Sequence, residues 1–212
     1  MIEVGTLVAF APAVVMIIMA PGPDTIYAVT QSLTSGRAAG ITAGLGTATG
    51  VLVHTTAAVL GLSALLRTSA VAYVLVKYVG AAYLVYLGIQ VLRNDEEFEI
   101  ESELVDEERS LFRSYRKAVV VNVSNPKVAV FVLAFFPQFV PATANAALQM
   151  SVLGVLYAGL SFLYLGGVAL FASRVRHLLL DSTVARRVVR YASGSVLLGF
   201  GLKLAVEERP AA

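Results

Sequence analysis

Three charged side chains stand in apolar surroundings: Asp24, Lys77 and Lys127. A charge at the centre of a membrane-crossing helix costs roughly 2.5–3.5 kcal/mol on insertion scales, so each needs a partner or a task. Asp24 closes "APGPD", where Pro21 and Pro23 flank Gly22, and Lys127 follows Asn125 and Pro126 in "NVSNPK". A proline donates no i→i−4 hydrogen bond. Pro21 and Pro23 therefore free the carbonyls of Ile17 and Met19, and Pro126 frees that of Asn122. Gly22 leaves this backbone uncovered. Such polar backbone survives in a bilayer only where it is buried in protein or lines a wet cavity. Two breaks of this kind, each beside a charge, suit the capture of a small polar solute. The plainer readings are a kink at each proline and, for the lysines, snorkelling or a structural ion pair with Asp24.

Catalysis finds little to work with. There is no cysteine, and the histidines are only His54 and His177. With a single acid inside the apolar stretches, no enzyme, cofactor or metal site is expected. No nucleic-acid partner is expected either. His54 reads as a hydrogen-bonded packing residue, with a proton relay as the alternative. Lys203, near the end of the last apolar stretch, can snorkel.

These residues sit in a chain that is 58% hydrophobic and 14% charged, with mean hydropathy +0.78. A soluble domain carries about 25% charged residues. Ala38–Leu66 and Leu148–Ser173 hold no charge, and Thr68–Leu92 holds only Lys77. Each run exceeds the ~20 apolar residues that cross a bilayer core. The pattern predicts an all-α integral membrane protein with six transmembrane helices, Val4–Thr25, Ala39–Leu66, Ala70–Leu92, Ala118–Val140, Leu148–Ser173 and Val188–Val206. A β-barrel would show weaker alternating segments of roughly ten residues. The first charge is Glu3, so no cleavable leader is expected. As one helix, the stretch from Val4 to Gly36 would measure about 49 Å against a ~30 Å hydrocarbon core, which itself requires a break.

Basic residues set the orientation. Eleven fall in or beside the first, third and fifth loops, from Arg37 to Arg190, against Arg67 and Arg209 on the other side. The positive-inside rule then places the odd loops in the cytoplasm and both termini outside a cytoplasmic membrane. The third loop holds nine of the fourteen acidic residues, between Asp95 and Glu108. It reads as a solvated linker, with a regulatory or partner-binding segment as the alternative.

One transmembrane domain, 1–212, is expected to divide into a first half at 1–92, the acidic loop at 93–117 and a second half at 118–212. The breaks then fall at matching positions in spans one and four. Three spans is an odd number, so the copies enter the membrane in opposite senses, as a 3+3 inverted repeat. Interrupted helices at matching positions mark the substrate site of such transporters. In the second span, Gly40, Gly44, Gly46 and Gly50 let backbones approach closely. Packing within one chain is the favoured use, and a homodimer seam is the other.

"APGPD" with "SLTSGRAAGITAGLGTATGVLVH", "VKYVGAAYLVYLGIQVLR" and "NVSNPKVAVFVLAFFPQFV" together resemble the LysE/RhtB family of amino-acid exporters. The resemblance spans nearly the whole chain. It implies a six-span inner-membrane exporter of amino acids or close derivatives, driven by an ion gradient. The implied motif positions are Pro21, Gly22, Pro23, Asp24, Lys77, Gly80, Asn122, Asn125, Pro126 and Lys127. The long acidic third loop departs from the family pattern.

The expected mechanism has freed backbone and helix N-termini binding the ends of an amino-acid zwitterion. Asp24 holds the ammonium or a coupling proton, and Lys127 or Lys77 balances its charge. Export of another small or inorganic ion, a channel, and a non-transporting scaffold are the competing readings.

Overall fold

In the computed structural model, residues 4–20, 22–68, 70–93, 110–140, 145–172, 174 and 182–206 are described. Pro21, the acidic run 95–108 and most of the turn at 141–145 lie outside them, as does His177. Helix α1 covers Val4–Met19. Its hydrogen-bond ladder runs on to Ala20, whose N–H donates to the Met16 carbonyl at 3.2 Å. The chain restarts as α2, Pro23–Thr34, with Pro23 in the first turn, where a missing N–H costs nothing. Gly22 is its extended N-cap, and its carbonyl accepts from the N–H groups of Thr25 and Ile26 at 3.0 and 3.1 Å. After Ser35 the chain turns at Gly36, whose φ of +93° favours glycine.

Two long helices follow, α3 at Arg37–Thr68 and α4 at Ala70–Arg93. Helix α5, Leu111–Val123, stops at Ser124, and α6 begins at Pro126 and runs to Val130. The chain continues through a π-helical turn at Phe131–Phe135 and a 3₁₀ turn at Phe136–Phe139. Helix α7 covers Ala146–Leu170, capped by Asn145, whose Oδ1 accepts from the Leu148 N–H at 3.3 Å. Helix α8 covers Thr183–Val206, with the Ser182 Oγ accepting from the Ala185 N–H at 3.1 Å.

Among the described residues, four helices are each long and apolar enough to cross a membrane. Two bent pairs raise the number to six: α1–α2, bent by 58°, and α5 with the segment from Pro126 to Phe139, bent by 55°. The protein is an all-helical, multi-pass membrane protein. The first span was expected to end at Thr25, yet helix continues to Thr34. A proline at the first helical position restarts a helix rather than ending one. In the same way the fourth span begins before Ala118, at Leu111. The first break thereby moves from the end of its span to the interior, and the second moves closer to the middle of its own.

Helix α3 packs against α7, α5 and α2, and α4 packs against α8. The glycines of α3 serve these contacts. A Cβ at Gly40 would meet Ser32 and Ala169, and one at Gly44 would meet Leu165. One at Gly46 would strike the Tyr115 carbonyl and Ala118, and one at Gly50 would strike Asn122. Packing within the chain is therefore their observed use. Gly80 does the same for α4 against Ala134 of the π turn. The seam between α4 and α8 rests on glycines that the sequence did not single out. At Gly88 a Cβ would lie 2.9 Å from the Gly194 carbonyl, and at Gly194 it would lie 3.0 Å from that of Gly88.

The core joins Phe10, Val14 and Ile17 of α1 to Leu84, Phe131, Phe135, Phe136, Leu153, Tyr157 and Leu204. A smaller cluster of Ala28, Ala43, Ala118 and Leu165 closes α2, α3, α5 and α7 together. Large apolar side chains such as Val8, Leu60, Leu75, Leu163 and Phe171 stand exposed on the outer faces, as bilayer contact allows.

Candidate functional site

The two breaks meet. Asp24, in the first turn of α2, lies against the end of α5 and the start of α6. Its carboxylate accepts from Asn122 Nδ2 through Oδ1 at 3.1 Å and from Asn125 Nδ2 through Oδ2 at 2.8 Å. Asp24, Asn122 and Asn125 are 9%, 0% and 3% exposed, so water does little of this work. A buried carboxylate is tolerable only when its oxygens are satisfied, and here each oxygen receives one amide.

Local sequence explains the aim of both amides. Asn125 is the N-cap of α6, and its Oδ1 accepts from the Lys127 N–H at 3.1 Å. With the oxygen committed to its own helix, the NH₂ group points away to Asp24. Asn122 occupies the last turn of α5, where Pro126 leaves its carbonyl without the usual helical donor. The Asn125 N–H reaches that carbonyl at 2.9 Å, and His54 Nε2 lies 3.1 Å from it. A carbonyl can only accept, so Nε2 carries the proton. His54 thus ties α3 to the second break, as the packing reading of this residue expected. Asn122 Oδ1, by contrast, is buried with no hydrogen-bond partner and lies over Gly50.

Lys127 crosses from the second break to the first. Its ammonium donates to the Ala20 carbonyl at 2.7 Å and the Ile17 carbonyl at 3.4 Å. Ile17 is one of the carbonyls that proline was expected to free. Gly22 makes room, since a Cβ there would sit 3.1 Å from Nζ. The Lys127 ammonium and the His54 ring are both near Asp24.

Of the residues singled out in the sequence, Gly22, Pro23, Asp24, Asn122, Asn125, Pro126 and Lys127 converge on this joint. Pro21 lies outside the described residues. Lys77 is half-buried on α4 with its ammonium 5.0 Å from the Tyr78 ring centre. Lys203 stands over the rings of Phe135 and Phe139, 5.9 Å from each centre.

Sequence reasoning missed part of the surroundings. Tyr157 of α7 is buried near Asp24, and Tyr164 of the same helix lies beside the Thr25 side chain. Both occur in an uncharged run, where the signal was their polarity rather than a charge. Further along α2, the Ser114 Oγ donates to Gln31 Oε1 at 2.8 Å and the Tyr27 hydroxyl donates to the Ser114 carbonyl at 3.3 Å. On another side an aromatic group joins α1, the π turn, α7 and α8. Phe131 stacks on Phe135 at 4.9 Å and meets Tyr157 edge-on at 5.5 Å. Phe135 meets Phe200 at 4.9 Å.

Comparison with known proteins gives this arrangement a context. The profile described as LysE type translocator matches residues 15–208. A Vibrio cholerae membrane protein of unassigned function is 30% identical over 203 residues, covering 96% of this chain and 98% of its own. A Pseudomonas aeruginosa membrane protein, also unassigned, is 35% identical over 206 residues, with 91% of each chain covered. The homoserine/homoserine lactone efflux protein of Salmonella typhimurium is 31% identical over 157 residues, 74% of this chain and 75% of its own. No solved structure matches the chain.

Proposed function

Since the chain belongs to the LysE type translocator family, we propose that it is a secondary transporter exporting amino acids or close derivatives across the cytoplasmic membrane. One observation carries the reading: a buried carboxylate, Asp24, held at the joint of two broken helices by amides of the opposite break. Broken helices that meet inside a bundle expose the backbone groups that bind polar solutes in carriers. The joint holds one buried carboxylate, Asp24, which suits an ammonium, and one ammonium, Lys127, which suits a carboxylate. A zwitterion therefore finds both of its poles matched within one joint.

Proton coupling runs through Asp24. The groups facing it are Asn122 and Asn125, with the Lys127 ammonium, the His54 ring and the Tyr157 hydroxyl nearby. Gaining a proton would loosen its hold on the two amides, and losing it would restore that hold, so proton binding and closure of the joint are linked.

The pairing of α3 with α7, of α4 with α8, and of one break with the other follows the order spans two–five, three–six and one–four. A twofold relation between 1–92 and 118–212 produces this pairing, which supports the inverted repeat. Odd loops face the cytoplasm and both termini lie outside. The alternative of a homodimer seam through α3 loses its support, because its glycines are used internally.

The test is export from cells loaded with a panel of amino acids, including homoserine and its lactone because a Salmonella relative bears that name. Faster appearance of one class outside identifies the substrate. In proteoliposomes the flux is expected to saturate with substrate and to need a gradient. Non-saturable flux would indicate a channel, and no flux across a broad panel would remove the exporter reading.

A further inference from the structure

Lys127 ends in surroundings built for a cation rather than for a particular side chain. Its ammonium meets main-chain oxygens of Ala20 and Ile17, at 2.7 and 3.4 Å, in the last turn of α1. That is the negative end of the helix. The ladder of α1 closes with the Ala20 N–H on Met16, and a proline at position 21 denies the Ile17 carbonyl its usual donor. The Asp24 carboxylate adds its negative charge from the next helix, acting on Lys127 through space. Gly22 keeps the space open, because a side chain there would crowd Nζ. The occupant arrives from 107 residues away, on the other broken span.

We propose that the Ile17 and Ala20 carbonyls, with Asp24 beside them, form a monovalent-cation site that Lys127 fills as a tethered cation in place of a soluble Na⁺ or K⁺. The contacts are with oxygen, the chemistry that hard cations select. One carboxylate balances one positive charge. Unwound carbonyls and helix C-terminal ends are also the groups that hold Na⁺ in carriers with broken helices. An ammonium on a side chain satisfies the same site permanently, and it fastens span four to span one while doing so. The wild-type protein therefore needs no added metal cation at this position. The inference goes beyond the export reading and is independent of which solute is carried.

The test uses purified full-length wild type, Lys127→Ala and Lys127→Met, heated in NaCl, in KCl and in choline chloride at equal ionic strength. Removing the ammonium empties the site. Both variants are expected to melt lower than wild type in choline and to regain about 3–6 °C at ten times the half-saturating concentration of Na⁺ or K⁺. The wild type is expected to melt alike in the three salts. Variants that melt alike in all three salts overturn the proposal. So do variants that stay unfolded in NaCl and KCl as in choline, or a wild type that either metal ion stabilises as much as it does the variants. Unfolding is read here and export is not, so a failure of this site is distinguishable from a failure of the exporter reading.

Discussion

The Asn125 side chain divides its amide between two elements, with Oδ1 capping α6 and Nδ2 holding Asp24. Asn125→Ala removes both. The cap is worth roughly 0.5–2 kcal/mol, and a hydrogen bond to a charged group about 1.5–3 kcal/mol. Lower thermal stability together with lost export is the expected outcome. Asn125→Ser keeps a capping oxygen but removes the longer arm and NH₂ group that reach Asp24. It should recover most of the stability and little of the transport. Measuring both quantities separates the two roles, and equal recovery of both would mean that Asp24 does not need the amide. Asn122 is less legible as a residue, because its own Oδ1 is buried without a partner over Gly50. Gly50→Ala is expected to cost about 1–3 kcal/mol by overpacking. Gly61→Ala on the same helix, with nothing within 4 Å of a new Cβ, should be neutral or slightly stabilising. Denaturation of the two variants side by side checks this.

At the scale of elements, prolines act as hinges between paired half-helices rather than as ends. Pro126→Ala restores an N–H that can reach back to the Asn122 carbonyl, competing there with the Asn125 N–H and His54. The variant is expected to fold, to straighten the 55° bend and to lose export. Wild-type export from it would show that the bend is not needed. The existence of both breaks was legible in the sequence, because a proline removes a specific hydrogen bond wherever it stands in a helix. The length of α2 was not. Gln31, Ser32 and Thr34 make it look like a loop, and the Gln31 amide oxygen is answered by Ser114, which lies 83 residues away. Nor was the destination of Lys127 legible. Its charge signalled a partner, but Asp24 and the freed carbonyls could not be told apart until the two breaks were seen to touch.

For the whole molecule, composition alone established the helical membrane class, since charge-free runs of that length have no other stable solution. The contacts of α3 with α7 and of α4 with α8 were not legible, because small residues such as Gly88 and Gly194 mark a close approach without naming its partner. The absence of cysteine makes orientation straightforward to measure. A membrane-impermeant thiol reagent applied from outside should label Thr143→Cys and leave Ser102→Cys unlabelled until the membrane is opened. The reverse pattern would invert the topology.

The central claim is that Asp24, held at the joint of the two breaks, carries proton-coupled export. The most direct measurement is the pH dependence of export by wild type and Asp24→Asn in proteoliposomes, at equal protein abundance and with the substrate found in the panel. Wild-type flux is expected to follow the imposed proton gradient, and Asp24→Asn is expected to lose that dependence. A mutant whose export keeps the wild-type rate and the wild-type pH dependence would contradict the claim.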